Sequence, residues 1–267
     1  MSTVITRRHL RWPTRQPNSR KGDNGRVLIV GGSPEYSGAP ALSGIAALRS
    51  GADSVVVAAP EKVAWAINGC SPDLVTRKLP GQFLSVRHFS ELKKMASRAD
   101  CLLLGGGVHP RPQSLSLLKR LAALPRCKVL DAAALDAFDP QSLRNAVLTP
   151  NRGEYLRLQR RCDLRALVAK GNIIVAKSWR TVIYSMRGRL QNRTGNPGLT
   201  KAGTGDVLAG FIAGLIAQSG DPLQASINAV YRLGRVGDAL RKKYGGYYFL
   251  ASDLAAALRD IRRGMVY

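Results

Sequence analysis

The sequence predicts an α/β fold in which a doubly wound, mostly parallel sheet is covered by helices on both faces. Short runs of apolar or β-branched residues alternate with stretches of helical periodicity along most of the 267 residues. Most of these short runs are apolar throughout, as expected of parallel strands that are buried on both faces. Glycine-rich or polar segments follow the runs, at the positions where open parallel sheets bind their ligands.

The elements follow one another in a regular order. The predicted strands are RVLIV (26–30), SVVVAA (54–59), CLLLG (101–105), CKVLD (127–131), NIIVA (172–176) and TVIYS (181–185). The predicted helices between them are SGAPALSGIAALRSG, HFSELKKMASRA, PQSLSLLKRLAAL and LRALVAK. A further helix begins near residues 203–206, because apolar residues recur at helical spacing from Val207 onward. We expect one domain over residues 21–267, preceded by a basic arm (1–20) that is either packed on the body or partly disordered.

The charge of the chain bears on its partners. There are 41 Lys and Arg residues against 17 Asp and Glu residues, which gives a formal net charge of +24. The basic residues are scattered over predicted helix faces, without an aromatic RNA-binding strand or a zinc finger, so we expect no specific nucleic-acid partner. We interpret the charge as a solvated surface that also steers polyanions such as ADP and dinucleotides. A non-catalytic nucleotide- or RNA-binding protein is the alternative from another class.

Membrane, secretory and metal-binding signals are missing from the sequence. No twenty-residue apolar run is present, and the N-terminal segment lacks the apolar region of a signal peptide, so we expect a cytoplasmic protein and no membrane partner. The four cysteines are dispersed without a C-x-x-C pair, and only three histidines accompany them. We therefore expect no dedicated metal site, and we predict that Cys101 and Cys127 are buried in strands.

The segment GNPGLTKAGTGDVLAG (195–210) places one carboxylate, Asp206, at the start of a predicted helix. The free N–H groups and the dipole of a helix start attract anions, and the glycines at 203 and 205 let the backbone approach a phosphate closely. A carboxylate beside such a site is explained if it accepts the proton of a hydroxyl that attacks phosphorus. The pattern is thus typical of a small-molecule kinase, unless Asp206 only caps the helix.

Five segments of the chain resemble the ADP- or ATP-dependent NAD(P)H-hydrate dehydratase family of the ribokinase-like superfamily. They are KGDNGRVLIVGGSPEYSGAPALSGIAALRSGAD (21–53), LLLGGGV (102–108), LDAAAL (130–135), LTPNRGEYLRL (148–158) and GNPGLTKAGTGDVLAG (195–210). The resemblance, which extends over about residues 20–258, implies a ribokinase-like fold and a repair reaction. In that reaction the ring hydroxyl of hydrated NADH or NADPH is phosphorylated by ADP or ATP, phosphate leaves, and the double bond returns. The nearest alternative is a kinase of the same fold that releases a stable phosphoester.

The resemblance also implies roles for individual residues. Asp206 is the expected general base, and the N–H groups of Gly203, Thr204 and Gly205 are expected to stabilise the transferred phosphoryl group. The residues implied to bind the hydrated nicotinamide nucleotide are Gly38, Ala39, Gly107, Asn151 and Asp206. Those implied to bind the adenine nucleotide are Lys177, Ser178, Trp179, Arg180, Thr181, Gly203, Thr204 and Gly205. Mg²⁺ is expected to accompany the phosphates, with Asp131 and Glu154 binding it through water, and a homotetramer is expected.

Four positions depart from the usual pattern of the family. Relatives usually carry His where Asn151 stands, Asp where Ala133 stands, and Gly where Ser178 and Ala202 stand. An Asn at position 151 hydrogen-bonds a substrate but does not titrate, and Ser178 adds a side chain where the nucleotide contacts backbone. These differences concern substrate affinity and nucleotide choice, and the sequence does not distinguish ADP from ATP as the donor.

Overall fold

A computed structural model describes residues 3–259 of the chain. The ends of the predicted arm and domain, residues 1–2 and 260–267, lie outside the described residues. The strands are β1 (Thr3–Val4), β2 (Arg26–Val30), β3 (Ser54–Pro60), β4 (Val75–Leu79), β5 (Cys101–Leu104), β6 (Cys127–Leu130), β7 (Ala146–Leu148), β8 (Ile173–Ala176), β9 (Val182–Ser185) and β10 (Gly188–Gln191). The α-helices are α1 (Gly38–Arg49), α2 (Glu61–Cys70), α3 (Phe89–Ala96), α4 (Pro112–Ala122), α5 (Arg152–Arg161), α6 (Leu164–Ala169), α7 (Thr204–Ser219), α8 (Pro222–Tyr244) and α9 (Ala251–Ala257).

The described strands form one sheet in the order β1-β10-β9-β8-β7-β6-β5-β2-β3-β4. All neighbouring pairs are parallel except those of β9, which runs antiparallel to both β8 and β10. Alternate residues of β2 face opposite sides of the sheet: Val27 and Ile29 belong to one hydrophobic cluster, and Leu28 and Val30 belong to the other. Helices cover both faces, so the predicted doubly wound, mostly parallel sheet is confirmed.

Helix α7 is buried on nearly all sides, which explains why its sequence is apolar all round. It packs closely on α1, because Gly210 lacks the Cβ atom that would otherwise lie 2.1 Å from the carbonyl oxygen of Ser43. The hydroxyl of Ser43 donates a hydrogen bond of 3.1 Å to the carbonyl oxygen of Asp206. This packing fixes the N-terminal turn of α7 relative to α1.

Two elements at the edge of the sheet are absent from the sequence-based prediction. Helix α2 and strand β4 (VTRKL) follow β3, and β4 pairs with β3 alone. Arg77 forms a salt bridge with Glu91, and the ammonium of Lys78 lies 4.2 Å from the centre of the Trp65 ring. Charged side chains are usual on an edge strand, where they discourage pairing with other chains, so the apolar-run criterion does not detect β4.

The described part of the N-terminal arm packs on the body. Strand β1 pairs with β10, and the side chain of Asn228 in α8 bonds to both backbone groups of Arg11. The prediction for the cysteines is correct for Cys101, which is buried and whose thiol pKa burial raises. It is wrong in degree for Cys127, which is only half-buried. No helix of residues 3–259 is long and apolar enough to cross a membrane.

Candidate active site

The loops after β2, β5 and β6 are in direct contact at the carboxyl end of the sheet. The N–H of Gly32 donates a hydrogen bond of 2.9 Å to the carbonyl oxygen of Gly106. Gly105 has a φ of +108°, and a Cβ there would lie 2.1 Å from the carbonyl oxygen of Asp131. These three loops, each of which follows a buried strand, therefore meet, and glycines at their contacts make this close approach sterically feasible.

Asp206 lies in the first turn of α7 but does not cap this helix. The cap residue is Gly203, with a φ of +87°, and a Cβ there would overlap the side chains of Leu42 and Ala251 at 2.7 and 2.8 Å. Asp206 is the third residue of the helix, and a Cβ on Gly106 would lie 3.1 Å from its Oδ1. The carboxylate thus borders the glycine loop that follows β5.

The sequence predicts free N–H groups on Gly203, Thr204 and Gly205, and the structure of residues 3–259 leaves two of these three free. The N–H of Thr204 donates to the carbonyl oxygen of Lys201 at 3.3 Å, and its hydroxyl donates to the same oxygen at 2.8 Å. Among the described residues, the N–H groups of Gly203 and Gly205 donate no hydrogen bond. Two of the three expected donors are therefore available to an anion.

Lys177 and Asp131 form a shielded ion pair beside this turn. The Lys177 ammonium donates a hydrogen bond of 2.8 Å to Asp131 Oδ1, and the two side chains are 20% and 7% exposed. The hydroxyl of Thr149 donates to the same oxygen at 2.7 Å. A Cβ on Gly205 would lie 3.1 Å from the Lys177 Nζ atom, so the ammonium adjoins the first turn of α7.

Burial and the neighbouring charges shift the pKa values of Asp206 and Lys177. Burial and, to a lesser extent, the negative charge of Asp131 raise the pKa of Asp206 from 3.8 to about 7, and Lys177 opposes this shift. Burial lowers the pKa of Lys177, but attraction to Asp131, Glu154 and Asp206 outweighs it, so the net shift is upward. Lys177 remains a cation, and Asp206 is able to exchange a proton near neutral pH.

Asn151 is the N-cap of α5. Its Oδ1 accepts a hydrogen bond of 3.0 Å from the N–H of Glu154, and Glu154 Oε2 accepts one of 2.7 Å from the N–H of Asn151. The side-chain oxygen is thus engaged in the cap, whereas the side-chain NH₂ group of Asn151 donates no hydrogen bond within the described residues. Burial raises the pKa of Glu154, and Lys177 opposes this shift, so α5 begins near the ion pair.

The segment Lys177–Thr181 forms a closed turn after β8. The Ser178 hydroxyl donates to the carbonyl oxygen of Arg180 at 2.8 Å and accepts from its N–H at 3.3 Å. The Thr181 hydroxyl donates to the carbonyl oxygen of Ser178 at 3.3 Å. Because the Ser178 hydroxyl is engaged within its own turn, the departure from glycine at this position is accommodated locally. Trp179 is 82% exposed, with the Arg180 guanidinium 4.1 Å from the centre of its ring.

The remaining predicted substrate residues lie together near β2 and β5. A Cβ on Gly107 would lie 2.5 Å from the carbonyl oxygen of Tyr36 and 3.2 Å from the Cβ of Ala39. A Cβ on Gly38 would meet no atom within 4 Å, so the fold itself does not require glycine there. Thr149 and Gly106 also belong to this region but were not predicted. Their positions after strands were the available signal.

A metal would have few protein ligands here. Within residues 3–259, no three side chains of His, Cys, Asp or Glu are arranged to hold a metal ion. Asp131 already binds Lys177 and Thr149 through Oδ1, which leaves Oδ2 for a further contact. This donor set fits Mg²⁺, which usually takes one or two carboxylates together with water and phosphate oxygens.

Comparisons with known proteins agree with this geometry. The profile of the NAD(P)H-hydrate dehydratase family matches residues 27–260. An ADP-dependent (S)-NAD(P)H-hydrate dehydratase of Cenarchaeum symbiosum is 34% identical, over 94% of this chain and 93% of its own. A bifunctional NAD(P)H-hydrate repair enzyme of Pyrobaculum aerophilum is 38% identical over 94% of this chain. The chain spans about half the length of this and three further bifunctional relatives.

Two solved structures are similar over nearly the whole chain. A ribokinase-like superfamily protein of Enterococcus faecalis superposes with a TM-score of 0.84 and 28% identity, covering 97% of this chain and 94% of that one. The ADP/ATP-dependent NAD(P)H-hydrate dehydratase of Bacillus subtilis, co-crystallized with ATP and Mg²⁺, superposes with a TM-score of 0.81 and 28% identity, covering 97% of each chain. The fold is therefore ribokinase-like, and the chain belongs to the NAD(P)H-hydrate dehydratase family.

Proposed function

We propose that this chain dehydrates hydrated NADH and NADPH with ADP or ATP as the phosphoryl donor. The single observation that carries the proposal is the Asp206 carboxylate, which lies in the first turn of α7 beside the Lys177 ammonium. The pKa of Asp206, raised by burial to about 7, suits a general base at neutral pH. Membership of the family gives this base its substrate, a hydroxyl on the hydrated nicotinamide ring.

The first step is transfer of a phosphoryl group to that hydroxyl. Asp206 takes the hydroxyl proton while the oxygen forms a bond to the terminal phosphorus of the nucleotide, and the bond from this phosphorus to the bridging oxygen breaks. ADP thereby becomes AMP, and ATP becomes ADP. The N–H groups of Gly203 and Gly205 and the Lys177 ammonium are the donors proposed to stabilise the phosphoryl oxygens.

The second step restores the double bond. Phosphate leaves with the electron pair of its bond to the ring carbon, the ring nitrogen supplies electrons to that carbon, and a proton is lost from the neighbouring ring carbon. The net change is removal of the elements of water from the hydrate, coupled to hydrolysis of the nucleotide. A phosphate ester on a carbon next to a ring nitrogen is a good leaving group, which separates this reaction from that of a kinase.

The substrate and donor sites are proposed on the two sides of Asp206. Gly38, Ala39 and Gly107 would contact the hydrated nicotinamide, with the Asn151 amide as a hydrogen-bond donor. The turn of residues 177–181 would bind the adenine nucleotide, with the exposed Trp179 ring as a surface for the base. Asp131 and Glu154 would hold Mg²⁺ through water, and the ion would neutralise phosphate charge. A homotetramer and a cytoplasmic location complete the proposal.

The proposal is tested by incubating the purified chain with hydrated NADH or hydrated NADPH and either ADP or ATP. Return of the near-ultraviolet absorbance of the dihydropyridine ring, with one inorganic phosphate released per ring restored, is the expected result. Nucleotide consumption with a stable phosphoester and no recovered absorbance would indicate a kinase of the same fold instead. No reaction with either donor would contradict both assignments.

A further inference from the structure

A cavity outside the residues considered so far opens beside the first glycine-rich loop. This side cavity has a volume of about 660 Å³, and its lining includes Pro34, Ser37, Pro60, Glu61, Lys62 and Gln82. Its size is within the range of cavities that hold a nucleotide-sized ligand. Glu61 and Lys62 are exposed in the first turn of α2, directly after the last residue of β3.

The side cavity adjoins the loop that carries the proposed nicotinamide site. Ser37 lines the side cavity and immediately precedes Gly38, and Tyr36 contacts Gly107 through its carbonyl oxygen. Phe83, which follows the lining residue Gln82, lies edge-on to the His109 ring with the ring centres 5.7 Å apart. A dinucleotide whose hydrated ring lies on Gly38 and Gly107 would therefore have its remote half next to Ser37 and the side cavity.

The sheet order separates the side cavity from the donor turn, which is the turn of residues 177–181 proposed above to bind the adenine nucleotide. The donor turn follows β8, which is separated from β5 by β6 and β7, whereas the side cavity lies beyond the ends of β3 and β4. Asp206 borders the loop after β5, between these two regions. The proposed reaction requires two nucleotides at once, and this arrangement gives each of them its own end of the site.

The side chains of the side cavity match the chemistry of a ribose. In dinucleotide-binding sheets, a carboxylate beyond the strand adjacent to the glycine-rich strand accepts hydrogen bonds from ribose hydroxyls, and a nearby basic residue accommodates a 2′-phosphate. Strand β3 is the neighbour of β2, which carries the glycine-rich loop, and Glu61 and Lys62 follow β3 directly. A carboxylate suited to the ribose hydroxyls of the NADH form and a cation suited to the 2′-phosphate of the NADPH form are therefore adjacent in the chain.

We propose that the side cavity binds the adenosine half of the hydrated dinucleotide, with Glu61 accepting the ribose hydroxyls of the NADH form and Lys62 contacting the 2′-phosphate of the NADPH form. This inference rests on the proposed function, and it names the part of the substrate that determines specificity. The hydrated ring then lies at Asp206 while the remote half of the molecule contributes binding energy.

Kinetics with three substrates test this inference: hydrated NADH, hydrated NADPH and the hydrated, reduced nicotinamide mononucleotide, which lacks the adenosine half. Lys62→Glu should raise KM for hydrated NADPH by about tenfold relative to hydrated NADH, and added salt should reduce this difference. Glu61→Gln should raise KM for hydrated NADH. Neither variant should change KM for the mononucleotide. Lys94→Glu, an equal charge change on an exposed residue of α3, is the matched control.

A binding measurement that needs no turnover separates the two proposals. With the donor turn saturated by ADP, adenosine 2′,5′-bisphosphate should bind the wild-type chain in a calorimetric titration, and Lys62→Glu should weaken that binding about tenfold. Either of two results would overturn the side-cavity assignment alone. Lys62→Glu could dehydrate both cofactor forms with the wild-type preference, or it could bind the bisphosphate as tightly as the wild type does. Absence of dehydration in the wild type, with fragment binding as expected, would instead overturn the proposed function.

Discussion

The Lys177 ammonium and the Asp131 carboxylate are joined by a hydrogen bond of 2.8 Å next to the first turn of α7. Asp131 raises the pKa of Asp206, and Lys177 lowers it, so the ion pair sets the proton affinity of the proposed base from two opposing sides. The pair also occupies one oxygen of Asp131, which keeps that carboxylate a structural partner of Lys177 and Thr149.

The pH profile should reveal this balance. Because deprotonated Asp206 is the active form, kcat/KM of the wild type should rise about tenfold per pH unit below about pH 7 and level off above it. Lys177→Met removes the positive charge and should move this rising limb to higher pH, whereas Asp131→Asn should move it to lower pH, each by about one unit. Lys93→Met, on the exposed face of α3, is the control. If the rising limbs of the two variants shift in the same direction, or do not shift, the ion pair does not set the pKa of Asp206.

Gly38 offers a test of substrate binding that leaves the fold intact. Open space surrounds the position of its missing Cβ, so Gly38→Ala should not lower the free energy of unfolding. It should raise KM for the hydrate about tenfold without changing KM for ADP, because the new methyl group lies where the ring is proposed to bind. Gly107→Ala is the comparison variant. Because Gly107 has a φ of +68° and lies against Tyr36, this substitution should lower the free energy of unfolding by about 1–3 kcal/mol. An unchanged KM in Gly38→Ala would remove this residue from the site.

Asn151 has a structural role that must be separated from its proposed binding role. Asn151→Ser keeps an N-cap oxygen for Glu154 but loses the amide NH₂, whereas Asn151→Ala loses both and should cost about 1 kcal/mol of stability. Both variants should raise KM for the hydrate and leave kcat within about tenfold, because a neutral amide supplies no proton. If Asn151→Ser behaves like the wild type in both KM and stability, the residue is a cap only.

Much of the fold follows from local sequence, and the exceptions have physical reasons. Buried parallel strands such as β2 and β5 are apolar throughout and were predicted, whereas β4 carries Arg77 and Lys78 because it is an edge strand. Asp206 and its flanking glycines were recognisable from one short segment. The bond between Lys177 and Asp131 joins residues 46 positions apart, and no local pattern encodes such a pairing. The engagement of the Thr204 N–H likewise depends on the preceding turn and not on residue type.

Lys128 is a buried cation at the centre of the sheet, and within residues 3–259 its ammonium donates a single hydrogen bond, of 2.8 Å, to the carbonyl oxygen of Arg144. Burial lowers its pKa from 10.5 to about 8, so the unfolded chain holds this proton more tightly than the folded protein does. The free energy of unfolding should therefore rise as pH increases from about 8 toward 10.5. Lys128→Met should be more stable than the wild type by about 1–2 kcal/mol below pH 8, and less so above it, in denaturant titrations. A variant that is less stable at every pH would contradict the prediction.

Asp206→Asn should also change the pH dependence of stability. The folded protein holds the Asp206 proton more tightly than the unfolded chain does, because burial and Asp131 raise its pKa from 3.8 to about 7. The wild type therefore loses stability as pH rises through this window, and the variant does not. Relative to the wild type, the thermal midpoint of Asp206→Asn should be higher above about pH 7, and the difference should vanish near pH 4.

The most direct test of the central claim is the turnover of hydrated NADH by the same Asp206→Asn protein, measured with saturating ADP. Asn keeps the shape of the side chain and does not accept the hydroxyl proton, and loss of a general base typically lowers rates about 10²–10⁴-fold. We expect a folded protein with retained or tighter ADP binding, since a negative charge near the phosphates is gone, and with turnover reduced at least about a hundredfold. Near-normal turnover by the folded variant would contradict the assignment of Asp206 as the catalytic base.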